Sequence, residues 1–496
     1  MKSRTTLRRF SISLAVFVSL PLTSIAQTPP PSAATEYHSD PDKEIAFQWL
    51  DANYEAIRKV SLNIWNSPEI ALHEYKSSRE LMAYLETNGF RVEKGVAGMP
   101  TAFVATYGSG KPVIAMYGEY DALAGLSQKP DIAAAPIKEG APGHGCGHNL
   151  IGAGSAGAAV AVSQLMAAGK IKGTLRFYGT PAEESIGGKA FMLEAGLFND
   201  VDVLLGWHPQ DSTRASFQFS KAVASVRFKF KGVAAHASSS PQLGRSALKG
   251  VELLDVGVNF AREHWKEDAR IHSVITNGGG QPNVVPAQAE SWYYIRANKH
   301  EDVADMLEWI SEIARGAAMM TRTQVDIVVD EDTYELLPNR PIAEVMDRNL
   351  RLVGPPKFSD EEKAAAKKMQ KPLEKNIDLP LAETIEPLPQ SPGQGSFSTD
   401  MGNVSWNVPS QIFEVATFPY RVPIHSWQVT ACSAMSIGQK GMLVAAKTLA
   451  ATAIDMFKNP AFVEAAKNDL LERKKNHPFH LLTPPNRKPP AFPESQ

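Results

Sequence analysis

Residues 111–118 read KPVIAMYG, an apolar run of strand length that is followed at once by Glu119 and Asp121. Three later runs have the same length and character: GTLRFYGT (173–180), VDVLLGW (201–207) and SQIFEVAT (410–417). Helical patterns separate the first three runs, which favours an α/β domain built on a largely parallel sheet. Ligands of such sheets bind beyond the carboxyl ends of the strands, so the residues after each run are candidates for function.

Acidic or imidazole side chains follow all four runs. After the last three runs they are Glu183 with Glu184, His208 and, eight residues on, His425. A random scatter of such residues along the chain would not place one after every strand. Because the carboxyl ends of parallel strands meet at one edge of the sheet, we expect these side chains to lie close together.

The segment GHGCGHN (143–149) follows the first strand and opens the next helix, and it holds a thiol and an imidazole two positions apart. Thiolate, imidazole and carboxylate are ligands of zinc and similar divalent ions. Five side chains form the candidate ligand set: Cys146, His148, Glu184, His208 and His425. Five ligands exceed one tetrahedral shell, so we expect two divalent ions that share a bridging ligand. A thiolate favours zinc, whereas manganese accepts carboxylate and imidazole.

Three further side chains are candidates for roles beside this ligand set. Glu183 precedes a ligand and is the candidate general base that takes a proton from water. Asp121 is expected to hold His148 in its orientation through a hydrogen bond. For His144 two roles stay open, because it either binds a metal ion or only shapes the loop.

The chain has two cysteines, Cys146 and Cys432. In an oxidising compartment the two thiols could pair in a disulfide. Cys432, however, lies in a helical pattern rich in small residues, which is typical of a buried core thiol. We therefore expect Cys146 to take part in metal binding and Cys432 to pack in the core.

The domain organisation follows from a change in composition near residue 213. Residues 213–331 are predicted to run strand, helix, two strands, helix, strand, which is the order of a ferredoxin-like α+β domain inserted as a lid. The other predicted segments are a signal peptide (1–26), two parts of the catalytic domain (40–212 and 332–458) and a Pro-rich C-terminal tail (459–496). Residues 354–392 are charged and Pro-rich, which predicts a surface excursion.

The N-terminus has the pattern of a secretory signal peptide. MKSRTTLRRF carries four cations, an apolar run follows, and small residues precede a cleavage point near Ala26 and Gln27. We therefore expect a periplasmic or secreted protein. The net charge of −2 and the lack of a basic stripe argue against nucleic-acid binding. No later stretch reaches the roughly 18 apolar residues of a membrane span, so none is expected.

Several motifs together resemble one known family. They are GHGCGHN, GTPAEE, GWHP, AAHAS, PNVVP, YYIRA, STDMGNVSW and PIHSWQ. The chain resembles the dinuclear-metal aminoacylase/carboxypeptidase family of amidohydrolases, and in particular its branch of p-aminobenzoyl-glutamate hydrolase B subunits. The similarity spans about residues 43–470, and the run 143–296 is highly specific.

The resemblance implies a metallopeptidase-like catalytic domain with two metal ions and a smaller lid that forms homodimers. By the family pattern, the five candidate ligands hold the metal ions and Glu183 is the base. His236 in AAHAS matches a lid histidine that, in dimeric members, reaches the partner's active site and polarises the scissile carbonyl. Asn283 and Arg296 match residues near the substrate's carboxylate.

The activity implied by the resemblance is hydrolysis of an amide between an acyl or aminoacyl group and an amino acid with a free carboxylate. The substrate would resemble p-aminobenzoyl-glutamate or an N-acyl amino acid; a dipeptidase or carboxypeptidase of the same family is the alternative. A non-catalytic binding protein would not need Glu183, which is present with every predicted ligand. Many relatives have an aspartate where this chain has Asn149, which leaves the preferred ion open.

Overall fold

The computed structural model describes residues 40–373 and 377–491, so the predicted signal peptide lies outside the described residues. The strands are β1 (Arg91–Lys94), β2 (Phe103–Ser109), β3 (Val113–Glu119), β4 (Gly173–Thr180), β5 (Val203–Gln210), β6 (Arg214–Ala215), β7 (Gln218–Phe219), β8 (Ala222–Lys231), β9 (Arg270–Asn277), β10 (Gln288–Ala297), β11 (Gln324–Thr333), β12 (Gly393–Gln394) and β13 (Ser410–Ala416). The helices are α1 (Pro41–Ala52), α2 (Tyr54–Asn66), α3 (Tyr75–Thr87), α4 (His148–Ala167), α5 (Gly188–Glu194), α6 (Ala247–Ala261), α7 (His300–Thr321), α8 (Arg340–Val353), α9 (Asp360–Gln370), α10 (Met401–Ser405), α11 (Trp427–Ala434), α12 (Ser436–Lys458) and α13 (Pro460–Arg473).

The larger sheet has seven strands in the order β1-β2-β4-β3-β5-β13-β6. Its four central strands, β4, β3, β5 and β13, are parallel, and they are the four apolar runs of the sequence. The outer strands β1, β2 and β6 pair antiparallel at the two sides. The predicted α/β class with a largely parallel sheet is therefore confirmed, and the four parallel strands end at the same edge.

Helix α4 packs on this sheet through small residues. A Cβ at Gly152 would lie 2.9 Å from the Glu119 carbonyl oxygen, and one at Gly157 would lie 2.7 Å from Ile57 Cδ1, so glycine permits the close approach. This helix alone among the described residues is long and apolar enough to cross a membrane, and 83% of that stretch is buried inside the protein. Such burial is what the core helix of an α/β domain shows.

The lid is a four-stranded antiparallel sheet in the order β11-β8-β10-β9, with α6 and α7 packed against it. This matches the predicted α+β lid. The first strand predicted for residues 213–331 is three strands rather than one, because β6 pairs with β13 of the larger sheet, β7 pairs with β12, and only β8 belongs to the lid sheet. The chain thus leaves the catalytic sheet through two short strands and enters the lid at β8.

Two segments differ from their predictions. The excursion at 354–392 contains α9, and its Met369 and Leu381 pack with Phe418 and Val429 beside the loop that carries His425. The predicted tail at 459–496 begins with α13, because Asn459 caps the helix and Pro460 occupies its first turn, where the absent N–H of proline costs nothing. Each segment therefore contains a helix that its proline content did not indicate.

Candidate active site

A cavity of about 320 Å³ lies at the carboxyl ends of the parallel strands, between the larger sheet and the lid. Side chains from both domains line it, including Cys146, Glu183, Glu184, His208, Arg296 and His425. The predicted candidates from four separate strands are thus brought to one place. The edge of a parallel sheet produces this convergence, as the sequence predicts.

Cys146, His148, Glu184, His208 and His425 form one group, here called the ligand cluster. Cys146 Sγ lies 3.5 Å from His208 Nε2, and His425 Nε2 lies 3.3 Å from Glu184 Oε1. His148 Nε2 lies 3.9 Å from Glu184 Oε1. Two trios within the cluster have donor atoms that all lie within 4.8 Å of one another. The first trio is Cys146, His148 and His208, and the second is Cys146, Glu184 and His425.

Local backbone geometry brings the loop 143–149 to this edge. Gly147 has a φ of 80° and precedes the first residue of α4, so the chain turns sharply between the thiol and the imidazole. The backbone N–H of His425 donates to the Gly145 carbonyl at 2.9 Å, which joins the loop to the segment after β13. This backbone hydrogen bond holds Cys146 and His425, which are far apart in the sequence, close together in space.

Hydrogen bonds fix the orientation of two imidazoles. His148 Nδ1 donates to Asp121 Oδ1 at 2.8 Å, the contact that the sequence predicts, and His208 Nδ1 donates to the Pro209 carbonyl at 2.7 Å. Each Nε2 lone pair therefore faces the cluster, as in metal-binding histidines. His148 Nε2 and Glu184 Oε1 are buried without a hydrogen-bond partner. These orphaned acceptors fit a bound cation, and the thiol, imidazole and carboxylate donors fit a divalent metal.

A second group borders the first: Glu119, Glu183 and Asp400 around the ammonium of Lys189, here called the lysine cluster. Lys189 Nζ lies 2.6 Å from both Glu119 Oε1 and Asp400 Oδ1, and Lys189 is fully buried. The three carboxylates also lie within 4.8 Å of one another. Nothing in the sequence predicted Lys189, and Asp400 was seen only as part of a motif without a role.

Glu183 belongs to both neighbourhoods. One of its carboxylate oxygens lies within 4.8 Å of donor atoms of His148 and Glu184. Burial raises the pKa of Glu183, and the neighbouring Glu119 raises it further. A carboxyl group with an elevated pKa beside a candidate metal site can accept a proton and return it, which suits a general base.

The remaining predicted residues separate into two places. Arg296 faces the cavity and donates from Nη1 to Ser398 Oγ at 2.8 Å, across the boundary between lid and catalytic domain. His236 and Asn283 are exposed and do not line this cavity; they are neighbours, since Ala237 N–H donates to the Asn283 carbonyl at 2.9 Å. The family pattern therefore divides between the cavity and a distant surface of the lid.

His144 and Cys432 lie outside the ligand cluster. His144 is buried, and its Nε2 lies 3.2 Å from the Ile64 carbonyl oxygen, so this histidine shapes the loop. Both cysteines are free thiols, which rules out the intramolecular disulfide in this structure. Cys432 is buried in α11 with its Sγ 3.8 Å from Met369 Sδ, as expected of a core thiol.

Comparison with known proteins now places the chain. Residues 220–319 match the family described as "Peptidase dimerisation domain". The chain is 39% identical to the B subunit of p-aminobenzoyl-glutamate hydrolase from Escherichia coli (strain K12), over 89% of this chain and 98% of that protein. It is 29% identical to the Xaa-Arg dipeptidase of Mus musculus, over 86% of this chain and 91% of that protein.

Solved structures share the fold. An aminobenzoyl-glutamate utilization protein from Klebsiella pneumoniae has a TM-score of 0.56 at 16% identity, covering 82% of this chain and 97% of its own. A dinuclear metal binding peptidase of the M20 family from Bacillus subtilis has a TM-score of 0.53 at 18% identity, covering 82% of this chain and 99% of its own. Fold, site and similarity thus define a hydrolase of the metallo-amidohydrolase class. The chain belongs to the M20 peptidase family.

Proposed function

We propose that this protein is an exported amidohydrolase that binds two divalent ions in the ligand cluster and releases an amino acid with a free carboxylate from an acyl or aminoacyl group. The observation that carries the proposal is the position of Glu183. Its carboxylate lies beside two buried acceptors without partners, His148 Nε2 and Glu184 Oε1. A base next to converging cation ligands is the arrangement that metal-assisted hydrolysis of an amide requires.

The chemistry divides between the ions and the chain. When bound, divalent ions lower the pKa of water and polarise a carbonyl. Glu183 takes the proton from the attacking water and delivers it to the leaving nitrogen, which prevents expulsion of an amide anion. Thiolate ligation by Cys146 favours zinc over manganese, since manganese prefers oxygen and nitrogen donors.

Arg296 is the proposed site for the substrate's carboxylate. It is the cationic side chain among the described residues that line the cavity, and a guanidinium offers paired donors that match a carboxylate. The substrate would therefore lie with its amide beside Glu183 and its free carboxylate toward the lid. An amide and a free carboxylate at these two positions are common to p-aminobenzoyl-glutamate, other N-acyl amino acids and dipeptides.

We further propose that His236 acts on the active site of a second copy of the chain. Its Nδ1 accepts from the backbone N–H groups of Ser238 and Ser239 at 3.2 and 3.1 Å, so Nε2 of the neutral ring carries the proton. That N–H is a donor suited to a developing oxyanion. Because His236 is exposed away from the cavity of its own chain, a second copy has to bring such a donor in.

The lid offers surfaces for a homodimer. Strand β9 is at the edge of its sheet, with Val274 57% and Ile275 53% exposed, and an unpaired edge accepts another strand. On α6, Phe260 is 74% exposed. Apolar side chains on a free edge and a free helix favour association with a second lid.

Export is proposed from residues 1–26 alone. A cation-rich start, an apolar run and a small-residue cleavage pattern are typical of a signal peptide. Expression in a Gram-negative host should yield a periplasmic protein whose first residue, read by N-terminal sequencing, is Gln27. Cytoplasmic protein that retains Met1 would contradict export and leave the catalytic proposal intact.

The catalytic proposal is tested with Glu183→Gln in the metal-loaded chain. The amide cannot take a proton, so we expect kcat to fall by about 10²–10⁴ on p-aminobenzoyl-glutamate, N-acyl amino acids or dipeptides, whichever is hydrolysed. Metal content, measured by mass spectrometry, should stay unchanged. Glu86→Gln, on the exposed surface of α3, is the matched control. A Glu183→Gln enzyme of nearly normal rate would remove Glu183 from the mechanism.

A further inference from the structure

The lid face of the cavity carries two opposite charges, each without an ion-pair partner. Arg296 lies on β10 and Glu331 on β11, and both line the cavity. Arg296 has Ser398 as its hydrogen-bond partner, and Glu331 Oε1 accepts from Thr333 Oγ1 at 3.0 Å. Within residues 40–373 and 377–491, no oppositely charged group lies within ion-pair distance of either.

The neighbouring charged side chains already have ion-pair partners other than Arg296 and Glu331. Arg487 approaches Glu331 from the C-terminal segment, but its guanidinium pairs with Glu194 Oε1 at 2.9 Å, donates to the Asp330 carbonyl and covers the Phe191 ring. Asp400 is held by Lys189. Burial raises the pKa of Glu331 to about 7, although the more distant Arg296 and Arg487 act to lower it.

The register of the lid sheet places the two charges on opposite sides of one strand. Arg296 pairs with Val223 of β8 on one side, and Glu331 pairs with Ser225 of β8 on the other. Their backbones are therefore two strand spacings apart and offset by two residues along β8, roughly 12 Å in all. Both side chains project from the same face into the same cavity, so a single small molecule can span them.

We infer that Glu331 is a specificity residue that binds a cationic side chain on the leaving amino acid, so that the preferred leaving group is basic, such as arginine or lysine. The inference rests on the proposed function, because Arg296 must hold the carboxylate of the same amino acid. Arginine and lysine carry their carboxylate and their cation at opposite ends of an alkyl chain. The carboxylate of such a ligand would pair with Arg296 and its cation would pair with Glu331, so each buried charge would gain a partner of opposite sign.

An acidic leaving group meets the opposite situation. The side-chain carboxylate of glutamate would lie toward Glu331, where like charges repel or one must be protonated. A leucine side chain would neither pair with the Glu331 carboxylate nor repel it. The predicted order of kcat/KM is therefore basic, then apolar, then acidic, with the acyl group held constant.

The test uses the metal-loaded full chain and three substrates that share one acyl group: p-aminobenzoyl-arginine, p-aminobenzoyl-leucine and p-aminobenzoyl-glutamate. We expect kcat/KM for the arginine amide to exceed that for the leucine amide at least tenfold. Glu331→Gln should lower this arginine-to-leucine ratio about tenfold. Glu308→Gln, whose side chain is 67% exposed on α7 outside the cavity, should leave the ratio unchanged.

Binding of the free amino acids separates this inference from the proposed function. Arginine should raise the melting temperature of the wild-type protein more than leucine or glutamate does, and Glu331→Gln should abolish the difference. If none of the amides is hydrolysed but this binding pattern holds, the proposed function fails and the assignment of Glu331 stands. An arginine-to-leucine ratio at or below one, or a ratio that Glu331→Gln does not change, overturns the assignment of Glu331.

Discussion

The ligand cluster and the lysine cluster border the same cavity, and they differ in the source of their positive charge. In the lysine cluster, the ammonium of Lys189 lies 2.6 Å from Glu119 and from Asp400. In the ligand cluster, His148 Nε2 and Glu184 Oε1 are buried and make no hydrogen bond. Both clusters bring ligand-type atoms within 4.8 Å of one another, so proximity alone does not distinguish them.

The difference lies in what each cluster lacks. Buried carboxylates stay ionised only when a cation or several hydrogen bonds compensate their charge. The lysine cluster contains its own cation, which lies 2.6 Å from two of its three carboxylates. The ligand cluster contains no lysine or arginine, so we expect it to take a cation from solution. The first cluster should therefore matter most for folding, and the second should respond to metal.

The largest expected effect comes from removing the internal cation. Lys189→Met leaves Glu119 and Asp400 buried without their ammonium, and we expect the free energy of unfolding to fall by about 3–5 kcal/mol. Denaturant unfolding of the metal-free protein measures this. Lys111→Met, which removes an ammonium 63% exposed that pairs with Asp202, is the control and should cost about 1 kcal/mol or less.

A compensating variant checks the cause. Combining Lys189→Met with Glu119→Gln and Asp400→Asn removes the buried charges together, so much of the lost stability should return. If Lys189→Met alone costs less than about 1 kcal/mol, the lysine cluster is not held by its ammonium.

The two cysteines offer a matched test of the ligand cluster. A divalent ion at 100 times its dissociation constant should stabilise the wild-type protein by about 2.7 kcal/mol. Cys146→Ser should lose most of this gain, because the variant loses a thiolate ligand. Cys432→Ser makes the same change in the core, where the Cys432 sulfur contacts Met369 Sδ and is not part of the ligand cluster, and should keep the gain. Thermal unfolding with and without zinc measures both, and equal gains in the two variants would exclude Cys146 as a ligand.

The contact between Asp121 and His148 should have a smaller effect. Asp121→Asn weakens the hydrogen bond that orients His148, so metal affinity should fall about 10–100-fold, or about 1.4–2.7 kcal/mol. Competition with a chelating indicator dye measures the affinity. Unchanged affinity would show that the imidazole keeps its orientation without Asp121.

The smallest effect is expected at an ion pair near solvent. Burial alone would raise the pKa of Asp202, but hydrogen bonds from Lys467, the Val113 N–H and Lys111 outweigh it and hold the pKa below its ordinary value of 3.8. The unfolded chain binds this proton first as the pH falls, so the stability from Asp202 is present above about pH 3.8 and is lost below it.

Asp202→Asn should therefore destabilise the protein by about 1 kcal/mol at pH 7, and the difference from wild type should shrink below pH 3.8. Denaturant unfolding at several pH values provides the measurement. A difference that grows as the pH falls would contradict the assigned sign.

Sequence reasoning found the ligand cluster because its logic is topological. Each parallel strand ends at one edge, so Cys146, Glu184, His208 and His425 could be expected to meet without knowledge of side-chain positions. Asp121 was also predicted, since metal-binding histidines need an orienting acceptor. These inferences depend on the strands being parallel, which the hydrophobic runs and the helical patterns between them indicate.

The lysine cluster and Glu331 could not be predicted in the same way. Lys189 follows a turn in GGKAF and would ordinarily be a solvent-exposed cation; only the packing of α5 against α10 buries it beside Asp400. Glu331 lies on an alternating lid strand, where the choice of face depends on register and on a bulge between Val329 and Glu331. Proline-rich composition likewise concealed α9 and α13.

The most direct test of the account is the metal content of the purified chain after removal of metal and reloading, measured by mass spectrometry together with chelator-sensitive amide hydrolysis. We expect close to two divalent ions per chain, with hydrolysis lost on chelation and restored on reloading. No bound metal after careful reloading, with the protein folded, would contradict the assignment of the ligand cluster.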